Sequence, residues 1–422
     1  MDKRISQRRI TLKKRITQTC KVFEVKVNTS SLSKTSIKHL NNLFVEAKWF
    51  YNYCLNQDDI NDSDTTIKQV PVKVKDLFEE RKLSILGAQM KQALKTRLFG
   101  SLIALKALKK NGHKVGQLKF KNKLNSIPLK QYEVTYDIDF NKNRIRLAGL
   151  KQWLKVKGLG QLNDREIANA VLMRKPSGYY FHITTYGPKE EKIMPDTSIG
   201  IDFGCQTQLT FSNRTKVEFQ IPVSNRIKLL DRKIMRKQAA TGKERLDSKK
   251  KYQDQFKRRK QYEKLNNKKN DIRHKVVSAI TKCFKYVCFQ DENIHAWQSS
   301  NHGKKIQNSS IGGIMADLKN KSHTPIMIDK FFPSTQLCPN CGKKNKLGLN
   351  ERIYKCDCGY IADRDWKSSF CIETEGLKQI PTEHRNFKAQ ENSASTFFNL
   401  LNKISNIKVK QVGLNECGKP TA

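Results

Sequence analysis

Four of the chain's 11 cysteines fall within one short stretch, as CPNCG at Cys338–Gly342 and CDCG at Cys356–Gly359. Zinc takes four soft ligands in a tetrahedron, and two cysteine pairs on facing knuckles provide them. Cys338 and Cys341 have the C-x-x-C spacing of such a knuckle; Cys356 and Cys358 are one residue closer. A site closed by four thiolates leaves no position for water, so the chemistry expected is a structural Zn2+ and not catalysis. The remaining cysteines, among them Cys20, Cys54 and Cys205, are scattered. Clustering of this kind in an intracellular chain points to a metal in preference to disulfides.

Carboxylates make a second constellation. Asp202 sits in the apolar run SIGIDFG, where a buried carboxylate needs a partner and a divalent cation is one. A strand-end Asp capping a turn would give the same local pattern. The apolar run Tyr286–Phe289 leads straight into Asp291 and Glu292, and Asp363 and Asp365 follow the cysteine cluster in ADRDWKSSF. Hydrolysis of a phosphodiester by two metal ions needs carboxylates from separate segments converging on ions ~4 Å apart. Acidic residues at the ends of apolar runs suit that chemistry, though their spacing does not by itself bring them together.

The elements that would position these groups can be read from patterning. Residues 21–28 (KVFEVKVN) alternate as a strand, and Leu40, Leu43, Phe44, Ala47, Phe50, Tyr51 and Leu55 recur at helical spacing. A second helical pattern runs from about Leu83 to Leu108, after a polar loop, NQDDINDSDTT. From Gly112 to about Gly187 come short strand-like runs, QLKFKN, YEVTYDIDF, RIRLAG, WLKVKG, AVLMRK and YYFHITTYG, divided by turn residues. Helices inserted after the first strand of a small β-barrel account for this order. A linker, PKEEKIMPD, then precedes the unit that starts with SIGIDFG.

Charge speaks to the partner. The chain holds 82 Lys and Arg against 39 Asp and Glu, a formal net charge of +43 over 422 residues. Such an excess self-repels unless a polyanion neutralises it, and nucleic acid does so with release of condensed counterions. The excess is spread along the chain instead of lying on one amphipathic helix, which argues against a membrane surface as the partner. Its densest part, residues 226–275, keeps a weak apolar stripe at Ile227, Leu230 and Ile234 and reads as basic helices that contact nucleic acid. No apolar run reaches the roughly 18 residues of a membrane span, and the basic start MDKRISQRRI lacks the apolar core of a signal peptide. A soluble, cytoplasmic protein of a prokaryotic cell, nucleoid-associated when bound to DNA, is therefore expected.

GIDFG, FQDENIHAW, FFPSTQLCPNCG and CDCGYIADRDW, in that order, resemble the TnpB family of transposon-encoded RNA-guided nucleases and the closely related compact type V CRISPR effectors. The specific motifs cover about residues 195–375, with looser agreement before them. The resemblance implies a multidomain α+β chain: a basic arm over 1–19, and a β-barrel domain over 20–190 with a helical insertion at about 32–111. An RNase H-like (RuvC) α/β nuclease domain would follow over 195–329, then the zinc module over 330–362, the last RuvC motif over 363–375 and a polar, loosely ordered tail over 376–422. It also implies that Asp202, Glu292 and Asp365 hold two catalytic Mg2+ ions. Asp365 is selected over Asp363 because it precedes Trp366, and Glu292 over Asp291 by a small shift of the second motif. Guide RNA and target double-stranded DNA would be the partners. Two departures stand out: the shifted second motif, and Lys367-Ser368-Ser369 where the family has an Asn-Ala-Ala-like run. Residues 298–313, rich in Ser, Asn and Gly, occupy the place of the family's mobile lid, and a plain surface loop would read the same. His274 is left out of the site. The alternatives to an RNA-guided DNA endonuclease are a guided repressor that has lost cleavage and a non-guided transposase with an RNase H-like core.

Overall fold

Strand β1 (Gln18–Val27) takes up the alternating run read from the sequence, with Val25 and Val27 fully buried on its inner side. It belongs to a computed structural model that describes residues 10–74, 77–162, 164–189, 196–239, 249–299, 303–348, 351–381 and 391–412. The chain divides into two compact units, Met1–Glu191 and Lys192–Ala422. No described helix is long and apolar enough to cross a membrane.

In the first unit, helix α1 (Lys34–Leu55) follows β1 and is capped by Ser33, whose hydroxyl accepts from Ser36 N at 3.1 Å. Its stripe from Leu40 to Tyr51 is buried as the spacing predicts. Within that stripe the buried Glu46 carboxylate accepts from Ile85 N and Leu86 N, both at 2.8 Å, so its burial is compensated. The hairpin of β2 (Gln69–Val74) and β3 (Leu77–Lys82) was not legible, because β3, LFEERK, is charged and mostly exposed. Helix α2 (Ala88–Lys110) completes the helical stretch. There follow β4 (Ser126–Leu129), β5 (Tyr136–Asp139), β6 (Arg144–Leu147), β7 (Leu154–Lys157), β8 (Glu166–Lys175) and β9 (Gly178–Pro188). With β1 they form a seven-stranded antiparallel sheet in the order β4-β8-β9-β1-β7-β6-β5. The run QLKFKN forms no strand. Of the basic arm, residues 1–9 lie outside the described residues, while Lys14 and Arg15 pair with Glu166 at 2.9 and 2.7 Å. Residues 190–195 of the linker also lie outside them.

The second unit is built on β10 (Ser198–Phe203), β11 (Leu209–Phe211), β12 (Thr215–Glu218), β13 (Tyr286–Gln290), β14 (Thr324–Ile328) and β17 (Lys408–Gln411). The order is β14-β13-β10-β11-β12-β17, with the first three parallel and the others antiparallel. Successive residues of a strand point to opposite faces. On one face Ile199, Ile201, Val287 and Phe289 share a core with Val276 and Ile280 of helix α4 (Lys249–Cys283). On the other lies helix α8 (Arg364–Leu377), whose Ile372 packs with Cys288 and Ile326. Gly200 permits that approach: a Cβ there would stand 2.1 Å from Ser369 O and 2.7 Å from Glu373 Cβ. The basic helices expected over 226–275 are α3 (Asn225–Ala239) and α4, with Ile227, Leu230 and Ile234 buried; residues 240–248 between them lie outside the described residues.

Two expectations are corrected. The described part of 298–313 is not a plain surface loop: helices α5 (Ile294–Ser299), α6 (Gly303–Ser309) and α7 (Ile311–Lys321) occupy this region, and Ile306 and Ile311 are buried in the core. Residues 300–302 lie outside the described residues. The described residues 391–412 of the C-terminal stretch are not a loose polar tail. Helix α9 (Glu391–Asn402) inserts Phe397 edge-on between Phe211 and Phe284, at 5.0 and 5.1 Å between ring centroids, and β17 then pairs with β12. A few well-spaced apolar residues, Phe397, Leu401 and Ile404, are enough to dock it despite polar neighbours. Residues 382–390 and 413–422 lie outside the described residues.

Candidate metal centre and carboxylate pocket

The cysteine cluster lies between β14 and α8 in sequence, on a hairpin of β15 (Ile353–Lys355) and β16 (Ile361–Asp363) and a preceding turn. Each knuckle closes on a glycine in the left-handed region: Gly342 (φ 73°) donates to Cys338 O at 3.0 Å, and Gly359 (φ 83°) to Cys356 O at 2.9 Å. Both turns close on a glycine, and the one of the C-x-C pair is a residue shorter, spanning Cys356 to Gly359 where the other spans Cys338 to Gly342. All four Sγ atoms lie within 4.8 Å of one another, with Cys338–Cys358 at 3.6 Å and Cys341–Cys356 at 3.5 Å. Tetrahedral Zn–S bonds of about 2.3 Å imply S···S edges of about 3.8 Å, so the four thiols fit a zinc ion. Backbone N–H groups at Cys358 and Tyr360 hold the Cys356 thiol down, to about 6, and the Cys358 thiol below its ordinary range, while desolvation and the neighbouring thiols push Cys341 up to about 12, so that the sulfurs share their protons.

The acidic motifs meet in a cavity of about 520 Å³ lined by Asp202, Glu292 and Asp365 together. Asp202 stands near the carboxyl end of β10, on the α8 face by strand parity. Glu292 follows β13, the parallel neighbour in which Ile201 pairs with Phe289. Asp365 lies in the first turn of α8, where the helix dipole favours a negative charge. Burial and then the nearby carboxylates of Asp365 and Glu292 push Asp202 well above the usual carboxylate range. Glu292 is raised by burial and by Asp291. Asp202 and Glu292, both raised, share the cavity with a third acidic side chain and lack positive charge, which a divalent cation supplies.

The competing carboxylates are placed elsewhere. Asp291 is exposed and does not line the cavity. Asp363 is the N-cap of α8, accepting from Trp366 N at 2.8 Å, and pairs with Lys216 at 2.6 Å. His274 is exposed beside Arg273 and also lies off the cavity.

Sequence reasoning missed the cations of the cavity wall, Lys305, Lys330, Arg352 and Arg364. Arg352, carried by the cysteine module, lies 3.5 Å from Asp365 Oδ2 and also bonds Gln206. Arg364 Nε lies 3.5 Å from Asp365 Oδ1. Arg364 adjoins Asp365 and could have been noticed; in so basic a chain nothing local marks Arg352 out. Carboxylates for a cation, rimmed by basic groups for an anion, can bind a metal ion and a phosphate at once.

Comparison with known proteins bears on the cysteine module and the sequence around it. Residues 316–372 match the family model "Cas12f1-like, TNB domain". A Streptomyces pristinaespiralis protein, named provisionally as an RNA-guided DNA endonuclease, is 45% identical over 53 residues, 12% of this chain and 13% of its own length. A TnpB-like protein of Acanthamoeba polyphaga mimivirus is 26% identical over 220 residues, 47% of this chain and 41% of its own. The chain therefore spans less than half the length of these curated relatives. Among solved structures, a chain from the cryo-EM structure of a Cas12f1-sgRNA-target DNA complex aligns over 81% of this chain and 80% of its own, with 13% identity and a TM-score of 0.41. By its cysteine module and the sequence around it, this chain is similar to the TnpB proteins and the compact type V effectors.

Proposed function

We propose that the chain is an RNA-guided, metal-dependent DNA endonuclease whose second unit is a RuvC-type, RNase H-like nuclease domain. The observation that carries this reading is the convergence of Asp202, Glu292 and Asp365, from three distant segments, on one cavity. The names given to its relatives, an RNA-guided DNA endonuclease and a TnpB-like protein, support it. Asp202, Glu292 and Asp365 would hold divalent ions of the Mg2+ kind, which supply activation of water and stabilisation of the leaving 3′ oxygen. The chain's own groups do the rest. Arg352, Arg364 and Lys330 bind and orient the scissile phosphate. Phe203, Trp297 and Phe332 give the cavity apolar wall that limits water. Basic helices α3 and α4 hold nucleic-acid backbone, and target sequence is read by pairing with the guide RNA.

The test is cleavage of a plasmid library by protein expressed with its flanking locus, with Asp202→Ala in parallel and Mg2+ present or chelated. The expected result is metal-dependent cutting beside a fixed short motif, leaving 5′-phosphate and 3′-hydroxyl ends, and lost in Asp202→Ala. RNA-dependent DNA binding with no cutting by the unaltered protein would overturn the nuclease reading.

A further inference from the structure

Lys367 is 0% exposed, and no carboxylate hydrogen-bonds it. A lysine ammonium has three protons to donate. Here they meet three backbone carbonyls: Ser334 O at 2.9 Å, Thr335 O at 2.8 Å and Leu337 O at 2.9 Å. The ammonium also lies 4.0 Å from the centroid of the Tyr354 ring, on β15 of the cysteine module. The accepting turn has two ends with different neighbours. Ser334 and Thr335 line the carboxylate cavity, while Leu337 is bonded to the metal-ligating Cys338.

The neighbours of this contact extend it. Ser368 Oγ bonds Ser334 Oγ at 2.9 Å, and Ser334 Oγ donates to Gln290 Oε1 at 2.9 Å. Gln290 Nε2 donates to Phe332 O at 2.9 Å, and Gln290 ends β13 two residues before Glu292. One buried hydrogen-bonded chain therefore touches the strand leading to Glu292, the helix carrying Asp365 and the turn leading to Cys338. The departure from an Asn-Ala-Ala-like run is thereby given a purpose. An asparagine has a much shorter reach and two amide protons, so it could not serve three carbonyls at this distance.

We propose that Lys367 is a positioning residue which builds the four-cysteine centre and the carboxylate cavity as one unit, so that filling the first strengthens divalent-ion binding in the second. The proposal rests on the reading of Asp202, Glu292 and Asp365 as a cation site. A metal ion at the thiols pins Cys338 and with it the Leu337 carbonyl. Through Lys367 that restraint reaches the first turn of α8, where Asp365 sits. Coupling of this kind is reciprocal, so an ion in the cavity also tightens metal binding at the thiols.

The test uses the full chain without nucleic acid. Lys367→Met, which keeps the length and removes the donors, is compared with the unaltered protein and with Phe397→Leu, a core control in the same unit. Three quantities are read: Zn2+ release to a chromogenic chelator, the absorption bands of the Co2+-substituted thiolate centre, and Mn2+ affinity of the cavity by electron paramagnetic resonance. Removal of groups that orient metal ligands commonly costs 10–100-fold in metal affinity. Lys367→Met should release Zn2+ about ten-fold faster, shift the Co2+ bands and weaken Mn2+ binding, while Phe397→Leu changes none of these. Unchanged release and Mn2+ affinity in folded Lys367→Met would overturn the proposal, as would equal changes in Phe397→Leu. Should Lys367→Met not fold, two measurements still decide. Ser368→Ala should shift the same readouts by less, and stripping Zn2+ from the unaltered protein should lower its Mn2+ affinity; no effect in either overturns the coupling. Absence of Mn2+ binding by the unaltered protein, indistinguishable from Asp202→Asn, would sink the cation-site reading and with it this coupling. A cation site that binds Mn2+ equally with and without Zn2+ would sink the coupling alone.

Discussion

At the scale of single residues, Asp202 sets the pH behaviour of the site. Its carboxyl is held well above the ordinary value by burial and by Asp365 and Glu292, so the folded state binds a proton that the unfolded chain releases more readily. Stability then falls as pH rises from the ordinary carboxylate value through the raised one, and the penalty is fully present above it. Below the ordinary value both states are protonated and the penalty vanishes. A divalent ion replaces the proton and removes the penalty, so Mg2+ or Mn2+ should raise Tm near neutral pH and have no effect below about pH 4. Asp202→Asn should raise Tm in chelator by about 2–4 °C, the shift that ~1 kcal/mol gives in a unit of this size, and should abolish the response to metal. Calorimetry across pH, with and without metal, measures both. A metal response that survives intact in Asp202→Asn would show that the ion sits elsewhere. The choice between Asp291 and Glu292 illustrates what the sequence could offer. Only a shift of the family's second motif selected Glu292 over Asp291 there, while in the structure Glu292 lines the cavity and Asp291 does not. The function of Lys367, by contrast, depends on carbonyls some 30 positions away and leaves no local mark.

At the scale of elements, α8 lies so close on β10 that its position is fixed by what Gly200 lacks. An added methyl there would meet backbone on the Ser369 side as well as Glu373, neither of which can swing aside. Gly200→Ala should therefore destabilise the second unit by about 3 kcal/mol, at the upper end for overpacking, because Asp202 and Asp365 lie on the two elements being pushed apart. Urea denaturation would read the stability, and a change below about 0.5 kcal/mol, the range of neutral surface substitutions, would show the interface to be looser than described. Elements with dense apolar periodicity were readable in advance: β1, α1 and most strands of the first unit, and the strands that bear the acidic motifs. The β2–β3 hairpin was not, because β3 is charged and mostly exposed and pairs through its backbone with a β2 in which Val70 is the one fully buried residue. Helix α9 escaped for a different reason: Phe397 and Leu401 lie among Ser, Asn and Thr, and only Phe211 and Phe284, far away in sequence, give them something to pack on. Helices α6 and α7 hid behind a composition typical of loops, although Ile306, Ile311, Ile314 and Leu318 recur at helical spacing.

At the scale of the whole molecule, a formal charge of +43 is in tension with a site made of three carboxylates. The two are reconciled if cations recruit a polyanion generally and the acidic cavity acts on it locally. Ion pairs among the described residues mostly keep at least one partner partly open to water and contribute little to stability individually. With 82 Lys and Arg against 39 Asp and Glu, internal one-to-one pairing cannot account for the excess cations. They are available for phosphate. Binding to RNA of any sequence should then weaken by roughly 10³-fold or more between 50 and 200 mM salt, the behaviour of a protein that neutralises about six to ten phosphates. Filter binding across that range measures the slope of log affinity against log salt. Substituting Lys257, Arg259 and Lys260 of α4 together by Ala should flatten it by up to about three phosphates, while Asp202→Asn should leave it unaltered, since the cavity addresses one phosphate and the helices address the backbone. A slope that stays the same in the α4 variant would move the interface off this helix. A slope near zero in the unaltered protein would mean that the charge serves something other than phosphate, and the guided reading would lose its electrostatic basis.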